Sequence, residues 1–203
     1  MILKAFPLGA FGTNCFLVFM PETAELFIID PASEAEKIVA EAKKFPFQKV
    51  RILLTHAHID HIHAAGKVAK ALNIAKAELA PGDHGMYRSK ANAIAPYFDH
   101  PGDLPEVTAF EPITNCTVIA LPGHTPGGSG FLFDDGKEKF LIAGDTIFYG
   151  SIGRTDLPGG DYATLINSIT ENLLSLPDDL TVWPGHGEET TIGFEKKHNP
   201  YLN

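Results

Sequence analysis

Residues 55–66 read T-H-A-H-I-D-H-I-H-A-A-G, and the four histidines and one aspartate within eight of these positions constrain the chain more than any other stretch. Neutral imidazoles and a carboxylate are what a borderline divalent metal such as zinc takes from a protein, and no cysteine competes inside the cluster. The spacing argues against one helical face, because His56 and His58 stand two residues apart and would point to opposite sides of a helix. The end of a strand fits better. Val50-Arg51-Ile52-Leu53-Leu54, just upstream, is short, mostly apolar and partly β-branched, whereas Asp60 to Leu72 has Ala-rich spacing compatible with a helix. The cluster is therefore expected on a loop that leads from a strand into a helix.

The arrangement recurs. Thr117 to Leu121 leads into Pro122-Gly123-His124, Phe140 to Ala143 into Gly144-Asp145, and Leu180 to Trp183 into Pro184-Gly185-His186, while Leu26 to Ile29 ends in Asp30. Each is an apolar run closed by a residue that can ligate a metal. A glycine ahead of the ligand lets the backbone turn sharply and approach closely. One such ending is ordinary in any protein; several in one chain point to a common site.

A coarse reading gives strands near 1–6, 14–20 and 25–30, a helix near 33–45, and the strand and helix that flank the cluster. A β-rich stretch follows over 107–142, then a helix over about 161–175, a strand at 180–183 and a last helix near 188–198. With 203 residues and 44% hydrophobic content, the chain can bury one substantial core, so residues 1–203 are read as a single domain. Residues 81–105 hold four prolines and three glycines, together with His84, Tyr87, Tyr97, Phe98 and His100. They read either as a surface connection with one short helix or as a lid over the site, in which case His84, Tyr87, Tyr97 and Phe98 would form a substrate rim.

His56, His58, Asp60 and His61 form an H-x-H-x-D-H signature, and His124, Asp145 and His186 follow in order. This set resembles the metallo-β-lactamase fold superfamily. Gly123-His124-Thr125-Pro126-Gly127, Gly144-Asp145-Thr146-Ile147-Phe148 and Gly153-Arg154-Thr155-Asp156-Leu157 are similar to its glyoxalase II (hydroxyacylglutathione hydrolase) branch. So are Pro184-Gly185-His186-Gly187, Thr190-Thr191-Ile192, Glu195 and Asn199-Pro200. The chain looks like the compact form, without the branch's C-terminal helical domain. The resemblance implies an α+β fold, a four-layer αββα sandwich with a metal site at one edge. It also implies two divalent metal ions, zinc first and iron or manganese as alternatives. His56, His58 and His124 would hold the first, Asp60, His61 and His186 the second, and Asp145 would bridge them. Asp60 would in addition orient a metal-bridging hydroxide. Asp30, His63, Arg154 and Asp156 are expected to support the ligands rather than bind metal.

A metal-bridging hydroxide that attacks an acyl carbon suits a thioester, because a thiol of pKa near 8.5 leaves with little help from a general acid. The resemblance points to small-molecule thioesters, S-acylglutathiones among them. Three other readings stay open: a mononuclear iron persulfide dioxygenase, a phosphodiesterase or lactonase, and a non-catalytic metal-binding module. The formal charge of −9 opposes a nucleic-acid partner. No run nears the ~18 to 20 apolar residues of a membrane span, and residues 1–20 are broken by Pro7, Gly9 and Gly12. Two cysteines, Cys15 and Cys116, make no disulfide framework, which favours a reducing, cytoplasmic setting. The sequence is silent on oligomeric state.

Overall fold

Asn14 to Met20 carries no polar alternation, and in the computed structural model, which describes residues 1–202, it lies in a strand whose eight residues are all buried. That strand is β2 (Thr13–Met20), second in a six-stranded sheet with β1 (Ile2–Leu8), β3 (Glu25–Ile29), β4 (Lys49–Leu53), β5 (Lys76–Glu78) and β6 (Glu106–Thr108). The strands lie side by side in chain order. The first two pairings are antiparallel and the remaining three parallel. Parallel neighbours need a crossover; α1 (Ala35–Ala42) and the pair α2 (Ile59–Ile62) and α3 (Ala65–Leu72) supply two of them, and the third, from β5 to β6, contains α4 (His84–Arg88). Ile38 of α1 and Val68 of α3 are buried in one core with Leu17, Leu26, Ile28 and Ile52 of the sheet. This sheet and its helices make one compact unit, Met1–Glu111.

The second unit begins at Pro112. Its five-stranded sheet runs β13-β12-β9-β8-β7, from the strands β7 (Cys116–Ala120), β8 (Ser129–Asp134), β9 (Lys139–Gly144), β12 (Thr181–Pro184) and β13 (Thr190–Thr191). A separate hairpin, β10 (Ile147–Phe148) with β11 (Ser151–Ile152), leaves the end of β9. The crossover from β9 to the parallel β12 contains α5 (Tyr162–Ser168), and α6 (Ile192–His198) closes the unit. Leu141, Leu165, Ile169, Val182 and Ile192 share its core.

Several boundaries differ from the sequence expectation, each for a nonlocal reason. The helix expected over 60–72 breaks at His63–Ala64, because the Ala64 N–H donates to Pro31 O (2.9 Å) instead of continuing the helical ladder. The helix expected near 188–198 starts only at Ile192, since Thr190 and Thr191 pair with β12, and the Thr191 hydroxyl then caps the helix by accepting from Phe194 N. Helix α5 widens into a π-helical turn over Ile169–Leu173. Strands β5, β10, β11 and β13 carry no strand pattern in the sequence, being two or three residues long. Among the described residues no helix is long and apolar enough to cross a membrane.

A buried ionic group ties together the three strands that lead toward the histidine cluster. Arg51 of β4 grips Glu78 of β5 with both arms of its fork, Nε to Oε1 and Nη2 to Oε2, each at 2.7 Å, and reaches Glu25 of β3 at 3.5 Å. Glu78 Oε2 also accepts from Glu111 N, and Arg51 Nη2 donates to Glu111 O. Removing Glu78 would take the two-armed partner from a buried charge and leave Arg51 the longer contact to Glu25, so Glu78→Ala is expected to cost about 3 kcal/mol in urea unfolding. A loss under about 1 kcal/mol, the range of exposed pairs, would mean that water reaches Arg51.

Candidate metal centre

In the first unit the site is built on Asp30. It closes β3 in the left-handed region (φ 49°), a conformation that costs a non-glycine residue roughly 1 kcal/mol. Its side chain is fully buried and accepts three hydrogen bonds, from Thr55 N (2.8 Å), Thr55 Oγ1 (2.6 Å) and His61 Nδ1 (2.9 Å). Asp30 N in turn donates to Leu53 O of β4. The ends of two parallel strands are thus stitched through one carboxylate.

These bonds set the histidine tautomers. A carboxylate only accepts, so His61 carries its proton on Nδ1 and keeps its lone pair on Nε2. The Thr55 hydroxyl spends its proton on Asp30 and so accepts at its 3.0 Å contact with His56 Nδ1, which places the His56 lone pair on Nε2 as well. His61 Nε2 lies 3.6 Å from Asp60 Oδ2, and the Asp60 carboxylate is steadied by the Thr13 hydroxyl, which donates to the same oxygen (2.9 Å). The His56 ring sits 4.8 Å from His58 and 4.1 Å from His61, centroid to centroid. His56, His61 and Asp30 each offer a donor atom within 4.8 Å of the others. His58 and Asp60 bracket the start of α2, so the cluster is a strand-to-helix loop.

The second unit repeats the logic with a different acceptor. Gly123 has φ 131°, and a Cβ there would lie 2.3 Å from the backbone N and Cα of Leu165, so only glycine lets the turn before His124 lie against α5. His124 Nδ1 donates to Arg154 O (2.7 Å), which leaves the lone pair on Nε2, 3.6 Å from Asp145 Oδ2. Asp145 follows Gly144 (φ 52°) at the end of β9. A Cβ on Gly153 would fall 1.9 Å from Asp145 O, so that glycine is set by close packing too. His186 Nε2 lies 3.4 Å from Asp145 Oδ2, where β12 shifts register between Trp183 and Pro184. The glycine with positive φ at this third turn is Gly187, after the histidine rather than before it. The hairpin after Asp145 is held by the fully buried Glu195, which accepts from Gly150 N, Thr190 Oγ1 and Asn199 Nδ2.

In each unit an imidazole lone pair faces a carboxylate oxygen at 3.6 Å. Two acceptors so placed repel unless a proton or cation stands between them, and nitrogen and oxygen donors of this kind suit zinc, iron or manganese. The donor set therefore fits a divalent metal.

Arg154 and Asp156 pair with each other on the exposed surface (2.7 and 2.8 Å), and these hydrogen bonds hold the Asp156 carboxyl down to about 2. It is the backbone carbonyl of Arg154, not its side chain, that reaches His124. His63 packs edge-on against Phe98, and burial, followed by the Lys67 charge, lowers its pKa. His84 donates through Nε2 to Leu79 O, and Tyr87 is buried with its hydroxyl on Pro105 O. Phe98 is buried, while Tyr97 is 60% exposed and lies 5.3 Å from the Phe11 ring. Sequence reasoning missed Thr13 and Thr55. Thr55 adjoins the histidines and is a natural proton donor, but nothing local links Thr13 to an aspartate 47 residues away. Cys15 is buried, and burial, then the Asp30 charge, pushes its thiol well up, so it stays protonated.

The family model described as the metallo-beta-lactamase superfamily matches residues 8–186. The chain is 36% identical over 216 aligned positions to hydroxyacylglutathione hydrolase GloC of Haemophilus influenzae, covering 100% of this chain and 99% of that protein. Among solved structures it is similar to TTHA1623 in a di-iron-bound form, at 36% identity and TM-score 0.88 over 98% of this chain and 100% of that one. It is also similar to the BLEG-1 B3 metallo-beta-lactamase, at 33% identity and TM-score 0.87 with both chains fully covered.

The glycine geometry yields a paired test. Gly123→Ala is expected to lose about 2 to 3 kcal/mol in urea unfolding, through overpacking added to strain. Gly136→Ala has the same positive φ problem but open space around it, and is expected to lose about 1 kcal/mol. Equal losses would show that the Leu165 contact yields freely.

Proposed function

The chain belongs to the metallo-β-lactamase superfamily and is a metallo-hydrolase of that kind, and from this premise we propose that it hydrolyses small-molecule thioesters of the S-acylglutathione type. The observation that carries the reading is the pair of imidazole-to-carboxylate contacts, in which hydrogen bonds fix the ligand nitrogens in both units. The likeness to a hydroxyacylglutathione hydrolase along the whole chain supports the substrate class.

In this reading His56, His58 and His124 would hold one divalent ion and Asp60, His61 and His186 the second, with Asp145 available to both. Zinc fits this donor set, and the di-iron form of TTHA1623 supports iron equally. Such ions, when bound, supply hydroxide at neutral pH by lowering the pKa of water from 15.7 to roughly 7, and they polarise the carbonyl under attack. The chain's own residues do the rest. Asp60, with Oδ2 pinned by Thr13, orients the attacking water toward the acyl carbon. Asp30 and Thr55 hold the His56 and His61 rings at fixed angles, so that no ligand must turn during the reaction. The water oxygen bonds to the acyl carbon and the C–S bond breaks, giving a carboxylate, a thiol and one proton to solvent. The leaving thiolate needs no general acid.

The test is hydrolysis of S-D-lactoylglutathione, read as loss of thioester absorbance. Turnover with two metal ions per chain is expected, and Asp145→Ala and chelator treatment should each bring it to the uncatalysed background. No turnover above that background in protein with two bound metals would remove this substrate. One iron per chain with oxygen uptake on a glutathione persulfide would replace the reading.

A further inference from the structure

Ala57 lies between His56 and His58 and is fully buried. Neither of its polar groups bonds within its own loop. Its N–H donates to Asp83 Oδ2 at 2.9 Å, and its carbonyl accepts from Asn92 Nδ2 at 2.6 Å. Both partners come from the segment 81–92, which follows β5.

That segment is itself braced. Asp83 is fully buried, and its N–H donates to Ala80 O in a 3-10 turn opened by Pro81. His84 Nε2 donates back to Leu79 O, and the Tyr87 hydroxyl donates to Pro105 O. The Ser89 hydroxyl accepts from Ala91 N and shapes the turn that presents Asn92. An arm fixed at so many points can hold a neighbouring loop still.

From this we propose that Asp83 and Asn92 are positioning residues for the metal centre, working as a two-sided clamp on the Ala57 backbone: Asp83 holds the peptide that joins Ala57 to His56, Asn92 holds the peptide that joins it to His58, and together they set the directions in which the two histidines project. The inference rests on the reading that these histidines hold a metal. A rigid backbone matters here because His56 and His58 flank Ala57 in the chain and their rings converge to 4.8 Å, at 88°. Rotation of either peptide would turn the histidine attached to it. The Asp83 carboxylate makes the stronger half of the clamp, since a charged acceptor strengthens its hydrogen bond. Loss of a support behind a metal ligand typically weakens metal binding by 10- to 100-fold.

The experiment is zinc affinity by competition with a chromophoric chelator, together with the visible spectrum of the cobalt-loaded protein, which reports ligand geometry independently of activity. Wild type and the variants Asp83→Ala, Asp83→Asn and Asn92→Ala are compared, with thermal unfolding as the check on folding. Asp83→Ala is expected to bind zinc about 10-fold or more weakly, with a changed cobalt spectrum. Asp83→Asn keeps an acceptor oxygen at the same place and should restore most of the affinity. Asn92→Ala is expected to fall between wild type and Asp83→Ala; it decides the matter if Asp83→Ala does not fold. Affinities within twofold of wild type and superimposable cobalt spectra in the variants would overturn the clamp while leaving the metal centre intact. A wild-type protein that binds no zinc or cobalt would instead overturn the function proposed above, and the clamp with it.

Discussion

One buried carboxylate governs the candidate ligands of the first unit. Asp30 has no exposure to water and accepts three protein hydrogen bonds. An ionised group in such a place would be costly if left unsatisfied. The three donors offset that cost, and each is a part that must stay in position: the Thr55 backbone, its hydroxyl, and the His61 ring. The left-handed backbone at Asp30 is strained, and the same bonds retain it. Fold and chemistry meet in this residue, since the bonds that join β3 to the loop after β4 also choose which nitrogen of His56 and His61 carries a lone pair.

The second unit reaches the same end by cheaper means. Arg154 O takes the proton of His124 Nδ1, and a backbone carbonyl needs no buried charge. The rest of that half depends on close backbone packing. Gly123 lies against Leu165, Gly153 against Asp145, and Glu195 gathers Gly150, Thr190 and Asn199 into one buried network. Sheet and candidate ligand are thus coupled through backbone approach here, and through side-chain hydrogen bonds in the first unit. A carboxylate partner makes an imidazole a better electron donor than a carbonyl does, so His61 and His124 are not chemically equivalent.

Much of this was legible in the sequence, because apolar runs that end in His or Asp mark strand ends without ambiguity of period. The histidine loop, β2 to β4 and the ends of β9 and β12 are all readable in that way. What escaped was nonlocal. Lys76-Ala77-Glu78 carries two charged residues in three and gives no strand signal; its Glu78 makes sense only once Arg51 is seen beside it. The break after α2 depends on the carbonyl of Pro31, and the support of His124 on the carbonyl of Arg154. Carbonyls are common to every residue and leave no mark in a sequence. For that reason Arg154 drew notice for its side chain, which in fact faces solvent and pairs with Asp156.

The proposed function depends on histidine tautomers that hydrogen bonds fix before any metal arrives. The most direct measurement is the ¹⁵N chemical shifts of the histidine ring nitrogens, by NMR on metal-free protein at about pH 9, well above the pKa of about 6.5 of a free imidazole. His56, His61 and His124 should each show a protonated Nδ1 and an unprotonated Nε2, in slow exchange with other forms. Protonated Nε2, or shifts averaged between the two nitrogens, would contradict the account and mean that the protein scaffold does not prepare its ligands.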